Sequence, residues 1–589
     1  MGRIGFALAA SAALVSGVVA ASDAAAAERT ATIQGVQDRA LREAIERAVG
    51  EENVPPVSRN EARRRARAAA DSAEALLRSE GYYAPVIEPD IGEGDRPSAV
   101  VKIDPGPRFR LKDPNIQWIG KTPDPESEIA AKGAIALATD APGRAADVIA
   151  AEGRIAAILQ ARGYADAVAT PRTVTVDHAD HSVQPIFKLS SGELVHLDGI
   201  RLEGKSRTNP AWIEYLIPWK SGAVYRPNSV AELERRLLET QVYDSVTVAL
   251  SPTSNPDGLR PVVVSLADRA RRSLELSAGY STSEGPDIDV KWSVFNRFRR
   301  ADTVTAEFRY LNIDSRVGLD LLLPHWRKPG DNLKLTAEVF RQDTDAYLQT
   351  GAALRADLTN RFGTQTSYFT RGLSLIGAQV YDKHTGTVNI AVLAALGALA
   401  LDRSDNPLNP SHGWKMEVRL EPTAITGDVT LAYFKAQASA STYFAFGSAA
   451  DTVIAVRGHV GSILGGKIPD VPAAYRFFAG GGGSVRGYAY QGVGPRYSDD
   501  QPIGGLALIE TSVEVRQKIW GQLGGVAFVD AGSVAKSMVP DFSNVSLGVG
   551  VGLRYNLGFA PIRADFAIPL NRPHGASPFQ VYISIGQSF

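Results

Sequence analysis

The pattern of apolar and polar positions changes once along this chain, and the change divides it. Up to about residue 269, short alternating segments are separated by stretches of helical period; from about Arg272 onward the alternation has period two. The terminal segment shows this best. Phe579, Val581, Ile583, Ile585 and Phe589 fall on one face, and Gln580, Tyr582, Ser584, Gly586 and Ser588 fall on the other. Segments 274–280, 304–310, 334–340 and 545–554 alternate in the same way. Apolar outside and polar inside is the pattern of a membrane barrel strand. A strand with its turn or loop consumes roughly 20 residues, so the last 320 residues or so accommodate about 16 strands.

The first part contains a repeat. Leu76-Leu77 leads to Gly81-Tyr82, Leu159 to Gly163-Tyr164, and Leu237-Leu238 to Val242-Tyr243, with the tyrosines 82 and then 79 residues apart. Each module opens with a strand (32–34, 115–119, 199–202) and a turn glycine (Gly35, Gly120, Gly204). Two helices follow, then two strands: 84–91 with 99–103, 167–176 with 183–189, and 244–250 with 261–266. Ser58-x-x-Glu61 and Ser229-x-x-Glu232 read as capping boxes opening a second helix. The edge strand of such a β-α-α-β-β sheet carries unpaired amides and carbonyls that an extended segment of another chain can join.

Composition narrows the classes. With 44% hydrophobic residues and 63 basic against 64 acidic side chains, the chain is neither disordered nor suited to coat nucleic acid. It has no Cys, which removes disulfides, thiolate metal sites and Cys nucleophiles. Residues 1–27 read as a signal peptide: Arg3, an apolar run from Ile4 to about Ala21, then Ala24-Ala25-Ala26-Ala27 before Glu28. Beyond it the longest apolar run, 390–401, is too short for a spanning helix, so the chain is either soluble after export or crosses a membrane as strands. Asp177-His178-Ala179-Asp180-His181 sits at a hairpin tip and reads as a solvated turn rather than a metal site. The arginines of Arg63-Arg64-Arg65-x-Arg67 read as a solvated helix face. No Ser-His-Asp set has motif spacing and there is no His-Glu-x-x-His, so no enzyme is expected, and no cofactor or metal.

One stretch organises the rest: Arg476-Phe477-Phe478-Ala479-Gly480-Gly481-Gly482-Gly483-Ser484-Val485-Arg486-Gly487-Tyr488. No Gly-Lys-Ser or Gly-Lys-Thr closes the glycine run and no helical pattern follows it, which excludes a nucleotide loop. Val485-Arg486-Gly487-Tyr488 after an aromatic-glycine run resembles the long-loop motif of the outer-membrane insertase superfamily of BamA, TamA and the two-partner-secretion transporters. Further segments resemble the family in order: 405–414 (Asp-Asn-Pro-Leu-Asn-Pro-Ser-x-Gly-Trp), Gly504-Gly505, Glu514, and Phe528-Val529-Asp530-x-Gly532. Gly548-x-Gly550-x-Gly552-x-Arg554 and Pro561-x-Arg563-x-Asp565-x-Ala567-x-Pro569-Leu570 resemble its penultimate strands. Two places depart from it: Leu506 stands where relatives often have Asn, and Asn296-Arg297-Phe298-Arg299-Arg300 puts arginines where a glycine turn is usual.

The resemblance implies α+β periplasmic POTRA repeats followed by an all-β, 16-stranded transmembrane barrel. The divisions would be 1–27 signal peptide, 28–105, 106–191 and 192–269 POTRA domains, and 270–589 barrel. Three modules make the chain look TamA-like, since BamA-like proteins usually carry five and two-partner-secretion transporters two. By the same resemblance, Arg486 of the motif Val485, Arg486, Gly487, Tyr488 would meet Glu514 and Asp530 in the lumen. A seam would run between Ser273, Leu274, Leu276 and Tyr280 on the first strand and Val581, Ile583, Ile585, Gly586 and Phe589 on the last. The implied function is assembly or translocation of outer-membrane clients such as autotransporters through that seam. The implied partners are a TamB-like inner-membrane-anchored protein, unfolded clients and outer-membrane lipid. A two-partner-secretion-type transporter or a BamA-like general insertase is the alternative within the family, and a passive porin the alternative outside it.

Overall fold

A computed structural model describes residues 28–52, 54–93, 96–282, 284–362, 366–447, 451–558, 561–572, 576–585 and 587. The expected signal peptide lies outside them. The chain divides into two compact units, one running to Leu197 with Gly222–Asn228, the other comprising Asp198–Ser221 and Ser229–Phe589.

In the first unit, Thr32–Gln34, Ala99–Asp104 and Val86–Ile91 form a three-stranded sheet, and Asn115–Trp118, Ser182–Ser190 and Val168–Asp177 a second one, extended by Arg110–Leu111. In each, the opening strand pairs parallel to the last. That pairing follows from the β-α-α-β-β order, because the two helices supply the crossover. Helices Arg39–Val49 and Arg59–Ser79 bury Ile45, Ala66, Ala73 and Leu77 on the first sheet. Ser58 caps the second helix by accepting from the Glu61 amide at 3.2 Å, while the Glu61 carboxylate turns back to the Val57 amide at 2.9 Å, one residue short of a reciprocal capping box. The expected box at Ser229 does not form. Pro227 already opens helix Pro227–Leu238, so Ser229 lies inside it, and Glu232 pairs with Arg235 and Arg236 instead. At the hairpin tip His178 and His181 pack edge-on against the buried ring of Phe109, and Asp180 pairs with Lys112 at 2.7 Å.

The second unit holds a three-stranded sheet, Leu197–Glu203, Arg260–Asp268 and Tyr243–Leu250, and a closed barrel. The barrel strands are β1 Arg272–Ser281, β2 Gly285–Phe295, β3 Thr303–Leu311, β4 Asp314–Leu323, β5 Asp331–Asp343, β6 Leu348–Phe362, β7 Ser367–Asp382, β8 Gly386–Asp402, β9 Gly413–Gly427, β10 Leu431–Phe446, β11 Thr452–Leu464, β12 Ala507–Trp520, β13 Leu523–Ala535, β14 Ser546–Asn556, β15 Pro561–Pro569 and β16 Gln580–Ile585. All neighbours pair antiparallel. Burial along β12 is the inverse of a soluble strand: Val513 and Val515 are 42% exposed, while Glu514 between them is fully buried. An apolar outside around a charged inside is stable only where the outside faces hydrocarbon.

The arginine-rich turn between β2 and β3 explains its own lack of glycine. The Asp302 carboxylate accepts from the amides of Arg297 and Phe298 at 2.9 Å and of Arg300 at 3.3 Å, and Asn296, Arg299 and Ala301 take positive φ. The turn is a docking surface. Asn296 Nδ2 donates to Thr208 Oγ1 at 2.8 Å, Asn209 N donates to the Arg299 carbonyl at 2.8 Å, and Phe295 and Ala301 join the core of Ile213, Leu216, Leu233 and Leu237. The next turn on that end contributes His325. Its Nδ1 accepts from the Gly330 amide at 2.9 Å, which leaves Nε2–H to donate to the Arg236 carbonyl at 2.8 Å.

Candidate functional site: the lumenal loop and the seam

The segment joining β11 to β12 folds into the lumen. Arg476 fixes its base, donating from Nε to the Val471 carbonyl at 2.7 Å and from Nη1 to the Ile503 carbonyl at 2.8 Å. Phe477 pairs with Gly505, and Lys435 of the facing wall holds its ammonium 4.5 Å above the Phe477 ring. Farther out, Asp499 ties the loop to the β7–β8 turn, 2.5 Å from Lys383 Nζ and 3.0 Å from His384 Nε2, with His384 stacked on Tyr497 at 3.7 Å. Those two contacts hold the Asp499 carboxyl below the usual carboxylate range.

Arg486 stands at the centre. Its Nε donates to Asp530 Oδ2 at 2.7 Å and its Nη2 to Asp530 Oδ1 at 2.8 Å, a bidentate fork, and its backbone amide adds a third donor at 3.0 Å. Nη1 reaches Glu514 Oε1 at 2.6 Å and lies 3.5 Å from Asp565. The guanidinium lies flat on Phe528, 3.4 Å from the ring centroid. Arg516 and Arg554 close the network, the first on Glu514 at 3.0 Å and the second on Asp565. Arg486 is 2% exposed, so every charge here is balanced by a partner rather than by water. Ser484 makes a second anchor, its hydroxyl donating to Glu510, which also meets His459 at 2.9 Å.

The strand glycines make the room. A Cβ on Gly532 would lie 2.5 Å from Val485, one on Gly550 would enter the Phe528 ring, and one on Gly552 would overlap the Asp565 carboxylate. Gly487 approaches the Ile568 backbone to 2.7 Å, measured from where its Cβ would be. Tyr488 caps the far end, its Oη donating to the Leu547 carbonyl at 3.2 Å.

The structure thus brings Val485, Arg486, Gly487 and Tyr488 together with Glu514 and Asp530. Sequence reasoning had Asp565 and Phe528 within family-like segments but did not join them to Arg486, and it did not pick out Ser512 or the Ser484–Glu510 pair. The parity of Arg563-x-Asp565-x-Ala567 was the available signal for Asp565, since it puts that carboxylate on the lumen face.

Of the seam residues, Tyr280 faces Ile583, and Val581 exchanges bonds with Thr282: its carbonyl accepts from the Thr282 amide at 3.2 Å, and its amide donates to Thr282 Oγ1 at 3.0 Å. Ser273, Leu274 and Leu276 pair only with β2 among the described residues. The Ile585 side chain, Gly586 and Phe589 lie outside the described residues. Among the described residues the ladder from β1 to β16 has two register pairs, Tyr280 with Ile583 and Ser281 with Tyr582, against ten between β1 and β2 and six between β15 and β16.

This geometry accompanies clear likenesses. Residues 296–589 match the Omp85 superfamily domain, and residues 30–105 match the POTRA domain described as TamA domain 1. The chain belongs to the Omp85 superfamily. As a member of the BamA/TamA superfamily it is an outer-membrane β-barrel with periplasmic POTRA domains. It is similar to the outer membrane protein assembly factor BamA of Neorickettsia risticii (strain Illinois), 24% identical over 419 residues that cover 66% of this chain and 54% of that one. The chain thus spans about half the length of this curated relative. Its fold is shared with BamA from Haemophilus ducreyi lacking POTRA domains 1–3, at a TM-score of 0.67 and 18% identity, over 81% of this chain and all of the other. In an Omp85 barrel with periplasmic POTRA domains, the turns bearing Asn296 and His325 are periplasmic and the loop mouth at Asp499 is extracellular.

Proposed function

We propose that this protein assembles or secretes β-barrel clients, autotransporters among them, through a lateral seam between β1 and β16. The observation that carries the reading is that, among the described residues, β1 and β16 share two register pairs in a wall whose other ladders run from six to fifteen. Backbone groups left unpaired in hydrocarbon are expensive, so a parted seam favours any client strand that satisfies them. The lumenal loop supports a wall-coupled role over a passive pore, because its arginine network ties it into the wall by buried ion pairs. No enzyme chemistry enters the reading.

The TamA-type first POTRA match favours a TamA-like member with module divisions at 28–105, 106–191, 192–269 and 270–589, working with a TamB-like inner-membrane-anchored partner. The likeness to a BamA assembly factor favours a second reading, a general insertase, and the set of outer-membrane proteins lost on depletion separates the two. The decisive test is a disulfide lock made with Tyr280→Cys and Ile583→Cys in a chain that has no Cys of its own. Loss of client assembly that reduction restores is the expected result; normal assembly through a verified lock overturns the seam reading.

A further inference from the structure

The glycine run of the loop touches both edges of the seam. From the last strand, the Tyr582 ring lies against Gly482, where a Cβ would come 2.8 Å from Cδ1. The Tyr582 hydroxyl accepts from the Gly487 amide and donates to the Tyr488 carbonyl, both at 3.3 Å. From the first hairpin, Glu284 reaches the same dipeptide, its Oε1 lying 3.0 Å from where a Gly481 Cβ would sit. Gly481 has a φ of +99°, so the place is closed to a side chain on conformational grounds as well. The two reading residues are joined across the seam. Ser281, the register partner of Tyr582, accepts from the Glu284 amide at 3.0 Å.

We infer that Glu284 and Tyr582 are positioning residues that make seam closure depend on the seating of the loop, with Gly481-Gly482 as the element both edges grip. The inference deepens the seam reading and rests on it for its role in client assembly. With two register pairs between β1 and β16 among the described residues, the Tyr582 bonds to Gly487 and Tyr488 and the packing of Tyr582 and Glu284 on Gly481-Gly482 are a large fraction of what holds the described edges together. When the loop leaves, the contacts of both edges with it are lost at once. When it returns, it finds its full set of partners only if the edges are together.

The test is a distance measurement on purified protein in lipid. Spin labels on Tyr280→Cys and Ile583→Cys, which are outward-facing register partners, report the seam. Labels on Phe308→Cys and Val317→Cys, partners on β3 and β4, report the wall. Glu284→Ala and Tyr582→Phe are each expected to add a longer seam distance and raise the open fraction at least fivefold. Glu284→Gln, which keeps the length of the side chain and its terminal oxygen against Gly481, is expected to restore the closed distribution, and the wall pair is expected to stay unchanged throughout. An unchanged seam in the Glu284→Ala, Tyr582→Phe double variant overturns the inference. So does a wall pair that broadens with the seam, or a Glu284→Gln seam as open as that of Glu284→Ala. Client assembly through a locked seam would refute the seam reading while leaving this distance result standing, so the two failures are distinguishable.

Discussion

Gly548 and Arg486 share a boundary at which the Arg486 carbonyl oxygen occupies the place a Cβ on Gly548 would need. Gly548→Ala must therefore push the loop backbone off the wall or bend β14, and overpacking of this kind costs about 1–3 kcal/mol. Gly552→Ala is expected to cost as much, since the Asp565 carboxylate fills that position. Gly377→Ala on β7 meets nothing within 4 Å and is expected to be neutral. Unfolding in lipid by urea, followed by the gel shift of the heat-modifiable barrel, reads all three. Equal loss at Gly377 would remove the packing explanation.

The two main carboxylates around Arg486 are unequal. Asp530 takes three of its donors and the Ser512 hydroxyl at 2.5 Å, whereas Glu514 takes one and shares its other oxygen with Arg516. Asp530→Asn is expected to destabilise the loop by about 3–5 kcal/mol, the range for breaking a buried ion pair, and Glu514→Gln by less. Arg486→Lys keeps the charge and loses the fork, so it should resemble Asp530→Asn. Protease cleavage within 480–488 from the extracellular side measures loop release. Cleavage as fast in Glu514→Gln as in Asp530→Asn would show that the fork and amide contacts carry no extra weight.

His325 makes the contact between helix Pro227–Leu238 and the barrel turns sensitive to acid. Burial lowers its pKa below the ordinary value of about 6.5, and Nδ1 is committed as an acceptor from the Gly330 amide. The unfolded side chain therefore binds a proton more readily than the folded one. Its contribution to stability is complete above about pH 6.5 and is lost progressively as the pH falls below that value towards the lower folded pKa. Hydrogen exchange in 324–330 and 236–240 should accelerate from pH 7.5 to 5.5 beyond the intrinsic change, and His325→Asn should flatten the difference. An unaltered pH profile in that variant would assign the effect to another group.

Much of this architecture is legible in the sequence because lipid enforces alternation. In β16 the outward Ile583 and inward Tyr582 follow from parity alone, and the repeat of Gly81-Tyr82 and Gly163-Tyr164 marks equivalent helix ends. What parity cannot reach is which inward residues meet. Asp565 faces the lumen by its spacing, yet its place beside Arg486 depends on barrel curvature and on Gly552 being empty. Glu284 and Tyr582 lie 298 residues apart in the chain and meet one dipeptide only after the barrel closes. The Ser229 box failed for a local reason: Pro227 has the fixed φ of a first helical residue and began the helix two residues early. The turn at Asn296–Arg300 looked irregular for lack of glycine, and Asp302 supplies its missing amide partners.

The short ladder between β1 and β16 also sets an order of folding. Thr282 and Gln580, bonded at 2.7 Å, are 298 residues apart. Closing so long a loop in a disordered chain costs about 5 kcal/mol in entropy beyond a constant, and a pair of backbone hydrogen bonds returns about 1 kcal/mol each. Ring closure cannot therefore lead. It follows the growth of the sheet by local hairpins, whose contacts are near in sequence and quick to form. The residues that join last are also the cheapest to release, so 280–282 and 580–583 are where exchange with solvent should first find this barrel open while the rest of its wall is still intact.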